Sequence, residues 1–518
     1  MSDLRSAIER EIERVQPRPY SFEAFDDRRL RAARKRRAAA TVLGLAVGAT
    51  VIASMIFALR GREDVTPATR PISPANVSAL RLFWSRDTGA SIDSAPVVAG
   101  DRVYVTNTAG TLLAFPTTCA TAPGTCRPIW TANEGPDSTY QIGSPAIGEG
   151  MVFAGSVQGT LFGYPISCGP GTCRPTWMAR PGGDLSSASP VVADDVVYVG
   201  SSTGTLYAYA AGCASYPHPC APVWTAQLQG GFGAGGHSGA QPVVADGVVY
   251  VGSSSGVLYS FPTACSSPCR PLREVRLPGV LSNPLVLVDG TLYVTSGNEL
   301  YAFPTRCFSR GKGCGPDWVA SASASIVSTP VVGDGHVYVG STDGVVSVFP
   351  EVCGHGGQAC RPAWTISNLG RLPNPSLVNG VLFVGETWAV NEMVAFDANC
   401  GASGAACAPL WTFVVTDLGA FEQLTASDGN GTLFAVTGDP LGGGAGGPGG
   451  GLYAFRIGAA PASGQVLPEG QGGAPKMDVV TSLMLGIIAA LSAVLWRRRA
   501  PLGSGRPQPE SRRTVPPD

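Results

Sequence analysis

Ser189 to Cys213 reads SPVVADDVVYVGSSTGTLYAYAAGC, and nearly the same phrase returns from Pro242 as PVVADGVVYVGSSSGVLYSFPTAC and from Pro330 as PVVGDGHVYVGSTDGVVSVFPEVC. Each copy opens on a short apolar run with strand composition. Turn pairs follow at Asp246-Gly247, Asp289-Gly290, Asp334-Gly335 and Asn379-Gly380, and such pairs reach the positive φ that two-residue hairpins need. A second strand, a Gly-bearing turn and a third strand come next, and then a cysteine. Beyond the cysteine a second marker recurs: CRPIW to Trp130, CRPTW to Trp177, CAPVW to Trp224, CGPDW to Trp318, CRPAW to Trp364 and CAPLW to Trp411. CRPLR puts Arg273 in the same slot, and Trp84 in LFWSR precedes the series, giving intervals of 46, 47, 47, 49, 45, 46 and 47 residues.

Four short antiparallel strands per 40–50 residues, repeated eight times, predict an all-β fold: an eight-bladed β-propeller of four-stranded blades. A solenoid of the same repeats would need capping units at both ends. Here the ends complement each other. Leu80 to Arg86 is a lone Trp-bearing strand, and the last repeat, through Gly451 to Arg456, lacks one. The first strand is therefore expected to complete the last blade. The repeated Trp residues are expected to pack between blades.

The phrase YVGSSTGTLYAY followed by Trp resembles the repeats of the pyrroloquinoline-quinone-type (PQQ-like) propellers over about residues 78–457. That family includes quinoprotein alcohol dehydrogenases and the propeller lipoprotein of the outer-membrane assembly machinery. The resemblance implies the fold and leaves the activity open. The family's short Asp/Gly turn before the Trp is replaced here by a Cys-bracketed insert.

The 14 cysteines fall into seven sequential pairs: Cys119 with Cys126, Cys168 with Cys173, Cys213 with Cys220, Cys265 with Cys269, Cys307 with Cys314, Cys353 with Cys360, and Cys400 with Cys407. Zinc asks for four ligands in close pairs, whereas these pairs fall on separate blades. Disulfides suit the even count and the fixed position. Each is expected to staple the outer hairpin of one blade. The eighth blade has no pair because its fourth strand arrives from the N-terminal side.

Two stretches are apolar enough to span a bilayer core of about 30 Å. Ala38 to Leu59 carries no charge over 22 residues, and Val479 to Trp496 carries none over 18. RRLRAARKRR precedes the first and Arg497 to Arg499 follow the second. The positive-inside rule then holds both termini in the cytoplasm and the propeller outside. The expected organisation is a cytoplasmic basic arm over 1–37, a transmembrane helix over 38–59, a linker over 60–77 and the propeller over 78–457. A Gly/Pro-rich linker over 458–476, a second helix over 477–496 and a cytoplasmic tail over 497–518 complete it. LPEG at 467–470 raises a wall-sorting signal as the alternative for the second span, without the threonine that signal needs. In the arm, Leu4, Ile8, Ile12 and Val15 share one face of a helix that suits a partner protein or the membrane surface. The arm resembles juxtamembrane segments of actinobacterial membrane proteins associated with sigma-factor regulation.

A net charge of −1 gives no pull toward nucleic acid. A quinone dehydrogenase of this fold is expected to carry vicinal cysteines and acidic calcium ligands. The chain has no Cys-Cys, and its acids at blade entries are few: Asp93, Asp137, Asp184 and Glu422. No cofactor and no metal site are expected, and His218, His237, His336 and His355 form no ligand pattern. The candidate contacts are the residues preceding each strand-opening proline, which an inner first strand would bring to the channel mouth. These are Ala95, Ser144, Ser189, Gln241, Asn283, Thr329 and Asn374, of which the polar Gln241, Asn283, Thr329 and Asn374 are the candidate ligand contacts. Small residues suited to crowded strands are the competing explanation. Gln229 to Gln241 is the longest connection and reads either as a lid or as a plain surface loop. The expected function is non-catalytic binding or scaffolding in the cell envelope. The alternatives are a transmembrane sensor working through residues 1–37 and a PQQ-dependent dehydrogenase.

Overall fold

The computed structural model describes residues 70–458 apart from 93, 120–125, 134–142, 157, 186–187, 214–215, 233–240, 282, 309–312, 355–358, 371, 386–391, 416–419, 426–430 and 439–449. The spans read over 38–59 and 477–496 and the arm over 1–37 lie outside the described residues. Among the described residues no helix is long and apolar enough to cross a membrane.

Alternation of Val and Tyr with small residues builds the strands, and the strands assemble into eight antiparallel sheets. Blade 1 runs through Val97–Ala99, Arg102–Thr106, Thr111–Pro116 and Trp130–Asn133, and blades 2 to 7 repeat that order. The first strands of blades 1 to 6 are half-buried, and first strands of neighbouring blades touch one another, so they line the centre. There the side chains must be small. A Cβ added at Gly148 would sit 2.4 Å from Val192, and one at Gly333 would sit 2.6 Å from Leu377. The turn between first and second strands is the predicted one. Asp246 and Gly247 take φ of 51° and 74°, and Asn379 and Gly380 take 46° and 78°. Asp and Asn tolerate this region and Gly enters it without strain.

Blade 8 closes the ring as the sequence predicts. Leu80–Asp87 lies outermost, antiparallel to Gly451–Ile457, with Trp84 opposite Ala454 and Asp87 opposite Gly451. Trp84 is buried between Phe434 of its own blade and Phe115 of blade 1, with ring centroids 6.0 Å from each. The other Trp residues take the equivalent slot. Trp177 meets Phe153 of blade 2 and Tyr209 of blade 3, and Trp224 meets Tyr198 of blade 3 and Phe261 of blade 4.

All seven predicted disulfides form: Cys119 to Cys126, Cys168 to Cys173, Cys213 to Cys220, Cys265 to Cys269, Cys307 to Cys314, Cys353 to Cys360, and Cys400 to Cys407. Among the described residues no cysteine is free. Their position corrects one expectation. The inserts do not only staple their own blade; each packs on the blade before it. Cys168 and Cys173 of blade 2 join the cluster around Trp130 of blade 1, and Cys213 and Cys220 of blade 3 join that around Trp177. Cys307 and Cys314 of blade 5 are half-buried against the cluster that holds Tyr250 and Leu258 of blade 4. Cys400 and Cys407 of blade 7 are half-buried in the cluster that holds Trp364 of blade 6. The pattern continues around the ring to Cys119 and Cys126 beside Trp84. Two inserts add a short parallel strand to the previous blade. Gly171–Thr172 pairs with Trp130 and Thr131, and Ala359–Cys360 pairs with Val319 and Ala320. Elsewhere single bonds do the same, as when Cys220 N donates to Met178 O at 2.8 Å and Cys269 N to Thr225 O at 2.7 Å. The insert thus occupies the open edge of its neighbour's outer strand.

The interface between blades 7 and 8 has no disulfide. Ile72 and Val77, within the stretch read as linker, are fully buried there beside Leu80, Phe383 and Phe455. The chain upstream of the closing strand therefore takes the place that a Cys insert holds at the other seven interfaces.

Candidate functional site

The candidate residues lie on the segments that enter the first strands of blades 1 to 7. Proline ends the entering loop in an extended conformation, and the residue before it faces the next blade. In blades 1 to 3 these residues form a chain. Ala95 N donates to Ser144 Oγ at 3.0 Å, and Ser144 N donates to Ser189 Oγ at 3.0 Å. Behind this chain, Ser94 Oγ and Thr106 Oγ1 are 2.8 Å apart, and Thr106 Oγ1 donates to Gly143 O at 3.2 Å.

Of the four candidate contacts, Asn283 has described side-chain hydrogen bonds. Its amide donates to Thr295 Oγ1 at 2.9 Å and to Ile326 O at 3.3 Å, which ties blade 4's exit to blades 5 and 6. Gln241 and Thr329 are half-buried just ahead of Pro242 and Pro330, and Asn374 is the half-buried first residue of its strand, opposite Gly385. Printed contacts link these positions only in blades 1 to 3 and at Asn283. Where they are described, these contacts stitch blades together.

The hydroxyls of Ser144 and Ser189 and the amide of Asn283 are engaged between blades. Every described cysteine pair is separated by four to seven residues, so no vicinal disulfide forms. Among the described residues no three His, Cys, Asp or Glu side chains approach closely enough to share a metal ion. Asp93 and Asp137 lie outside the described residues, as do His237 and His355. Asp184 is half-buried, with its backbone N–H on Ser202 Oγ at 2.9 Å. His336 rests edge-on against Trp364 at 4.7 Å, with Nδ1 2.8 Å from Asp334 O. The possible lid, Gln229 to Gln241, is described only at its two ends. There Gln229 accepts from Arg276 at 3.0 Å.

Sequence reading missed Phe308. It follows Cys307 in the blade 5 insert, is fully buried, and lies 5.3 Å from Tyr250 and 5.8 Å from Phe303. It fills the slot that blade 4 leaves by carrying Arg273 instead of Trp. An aromatic residue beside a first cysteine, in the unit after the missing Trp, was the available signal.

Residues 117–264 match the family model described as outer membrane protein assembly factor BamB. No curated protein matches the chain in sequence. Among solved structures, BamB from Moraxella catarrhalis superimposes with a TM-score of 0.54 at 17% identity, covering 73% of this chain and 99% of that one. Quinohemoprotein alcohol dehydrogenase from Comamonas testosteroni gives 0.53 at 15% identity, covering 77% and 80%. Sqt1 from Saccharomyces cerevisiae gives 0.53 at 10% identity, covering 74% and 100%. At such identities the shared property is the fold. The repeat phrase, the family model over part of the chain and the eight sheets fit the fold of a PQQ-like repeat propeller.

Proposed function

We propose that this PQQ-like repeat propeller is a non-catalytic binding or scaffolding module of the bacterial cell envelope, held outside the cytoplasmic membrane by two spans. The observation that carries the reading is the place of the disulfides. All seven belong to the cores between blades, so the fold depends on thiol oxidation and suits an extracytoplasmic compartment. The family model named for BamB favours protein partners over chemistry, as does a polar mouth engaged in joining blades.

Two measurements test it. A reporter active only outside the membrane is expected to work when inserted near Gly446 and to fail at either terminus; activity at the C-terminus would overturn the two-span arrangement. Quinone-dependent, dye-linked oxidation of alcohols or sugars by the purified chain would overturn the non-catalytic reading.

One observation supports the sensor as a second reading. Ile72, buried between blades 7 and 8, lies 13 residues after Leu59, the end of the first apolar stretch. The propeller's closing interface is thereby joined to the chain that leads to the arm over 1–37. A cytoplasmic partner captured by that arm, and released when the propeller is occupied, would favour signalling.

A further inference from the structure

Blades 1 to 7 keep two of their connections on one face. In each, the residue after the third strand donates its backbone N–H to the turn between the first and second strands. Thr117 N meets Asp101 O at 2.8 Å in blade 1. Ile166 with Gly150, Ala211 with Asp195, Thr263 with Gly247, Thr305 with Gly290, Glu351 with Gly335 and Ala398 with Gly380 repeat the bond in blades 2 to 7. The Cys inserts follow the third strands, so all of them lie on this face.

The chain also enters and leaves the propeller there. Gly458, just past the third strand of blade 8, donates to Ala79 O at 3.0 Å, ahead of the closing strand. Upstream, a Cβ added at Gly431, in the first-to-second turn of blade 8, would sit 2.4 Å from Arg70 O, and one at Gly380, in that turn of blade 7, would sit 3.7 Å from Pro74. Residues 60 to 69 separate Leu59 from Arg70, a reach of at most about 35 Å. A strand of five or six residues is about 17–20 Å long, so a chain that had to round a blade would have little length left.

The rim of this face has an interfacial composition. Among the described residues the three most exposed large apolar side chains all lie in third-to-fourth connections: Val352 at 80%, Val223 at 54% and Tyr216 at 48%. Arg127, Arg174, Arg270 and Arg361, each next to the second cysteine of its insert, are exposed beside them. The exposed acids of the face are in the first-to-second turns, as at Asp101, Glu149 and Asp246, next to the strands that line the centre; the exception, Asp317, lies 3.5 Å from Arg306.

We propose that the insert face is the propeller's membrane-facing surface, with its rim of Val and Arg resting on anionic headgroups of the bilayer that holds the spans. Apolar atoms gain by entering the headgroup boundary, and guanidinium pairs well with lipid phosphate. The opposite face, with the second-to-third turns and the strand-opening prolines, is then the one presented to protein partners. This assignment rests on the two-span reading and gives it a direction.

The test uses the full-length chain in phosphatidylglycerol-containing vesicles with a nitroxide-headgroup lipid as quencher. An encoded fluorescent amino acid replaces Val352 or Val223, or else Ala109 or Thr342, which are exposed in second-to-third turns of blades 1 and 6. Fluorescence is expected to be quenched at Val352 and Val223 and kept at Ala109 and Thr342. Phosphatidylcholine alone, high salt, or Arg127→Gln, Arg174→Gln, Arg270→Gln and Arg361→Gln combined should each weaken the quenching, with thermal unfolding alike in all variants. Quenching at Ala109 or Thr342, or at none of the four positions, would overturn the face. Quenching indifferent to lipid charge and to the four Gln changes would overturn the part given to the arginines. Carbonate extraction reads the spans separately. A chain that extracts yet is quenched at Val352 loses the spans and keeps the face, whereas one retained but quenched at Thr342 keeps the spans and loses the face.

Discussion

Three Trp indoles donate to a carbonyl at the third-strand exit of the next blade, whereas Trp411 donates to Leu80 O on the closing strand of blade 8. Trp177 Nε1 donates to Ala210 O at 3.1 Å, Trp224 to Thr263 O at 2.9 Å and Trp318 to Glu351 O at 3.2 Å. Trp84, Trp130 and Trp364 have no partner for Nε1. At those three interfaces the corresponding carbonyls serve other donors: Thr117 O takes Arg456, Ile166 O takes Arg102, and Ala398 O takes Tyr338 at 3.0 Å. The indole is therefore kept for its volume, and its hydrogen bond is optional. Arg273 and Phe308 extend the same logic, because volume is conserved while its source moves to the next blade. Phe308→Ala should cost about 3–5 kcal/mol, the range for emptying a packed aromatic site. Arg273→Ala should cost well under half of that, and comparison of the two by denaturant unfolding decides between them. A second outcome at this scale concerns alkali. Burial, and then the charge of Asp194, push the Tyr198 hydroxyl up to about 12, and burial raises Tyr209, Tyr293 and Tyr338 as well. A phenol whose folded pKa is raised contributes stability in full below its ordinary value near 10. That contribution is lost as pH rises from there through the folded value. Unfolding in alkali is expected to bring tyrosinate absorbance with it, and tyrosinate forming well before unfolding would contradict the burial.

The Cys insert is the element in which sequence and structure part company. Pairing, blade count and turn chemistry were legible because each depends on residues a few positions apart: the Cys spacing, the Trp interval, Asp246-Gly247. The direction in which an insert reaches is a tertiary fact. Nothing between Cys168 and Cys173 shows that Gly171 will pair with Trp130 of the preceding blade. The same holds for Cys314 and Cys407, whose sequence neighbours give no sign that they pack toward blades 4 and 6. The candidate residues were chosen because a proline follows each of them in seven of the eight units. Their contacts were not legible, because the hydroxyl that serves Ala95 lies 49 residues away on Ser144. The reach of the inserts has a measurable consequence. Replacing Cys168 and Cys173 by alanine removes a short closed loop, for which chain entropy alone accounts for about 2 kcal/mol. It also loosens the strand capping blade 1. Amide exchange should therefore rise over Trp130 to Asn133 of blade 1, and the measured loss should exceed the loop value. Exchange that rises only within blade 2 would return the staple to a purely local role.

A ring of eight similar interfaces opens where its joints are weakest. Seven joints carry a disulfide packed on the preceding blade, and the joint between blades 7 and 8 carries Ile72 and Val77 instead. Closure there brings together residues far apart in the chain, as in the 2.8 Å bond from Thr88 Oγ1 to Gly450 O across 362 residues. The entropy of closing so long a loop grows only logarithmically with length, so it is substantial without being prohibitive. What opposes it is local. Trp84 is 2% exposed between Phe434 and Phe115, Trp411 Nε1 donates to Leu80 O at 3.0 Å, and Ile72, Val77 and Leu80 are fully buried. Trp84→Ala should lose about 3–5 kcal/mol. Ile72→Ala with Val77→Ala should lose a comparable amount, because two apolar side chains leave one core. Under oxidising conditions and mild denaturant, amides of Leu80 to Asp87 and Trp411 to Val414 are expected to exchange first, with the other outer strands following together. After reduction that order should flatten, because the seven stapled joints lose their advantage while the eighth loses nothing. Earlier opening at any stapled joint in the oxidised protein, or unchanged exchange of Leu80 to Asp87 in the Ile72→Ala, Val77→Ala variant, would show that the closing strand holds without the segment before it.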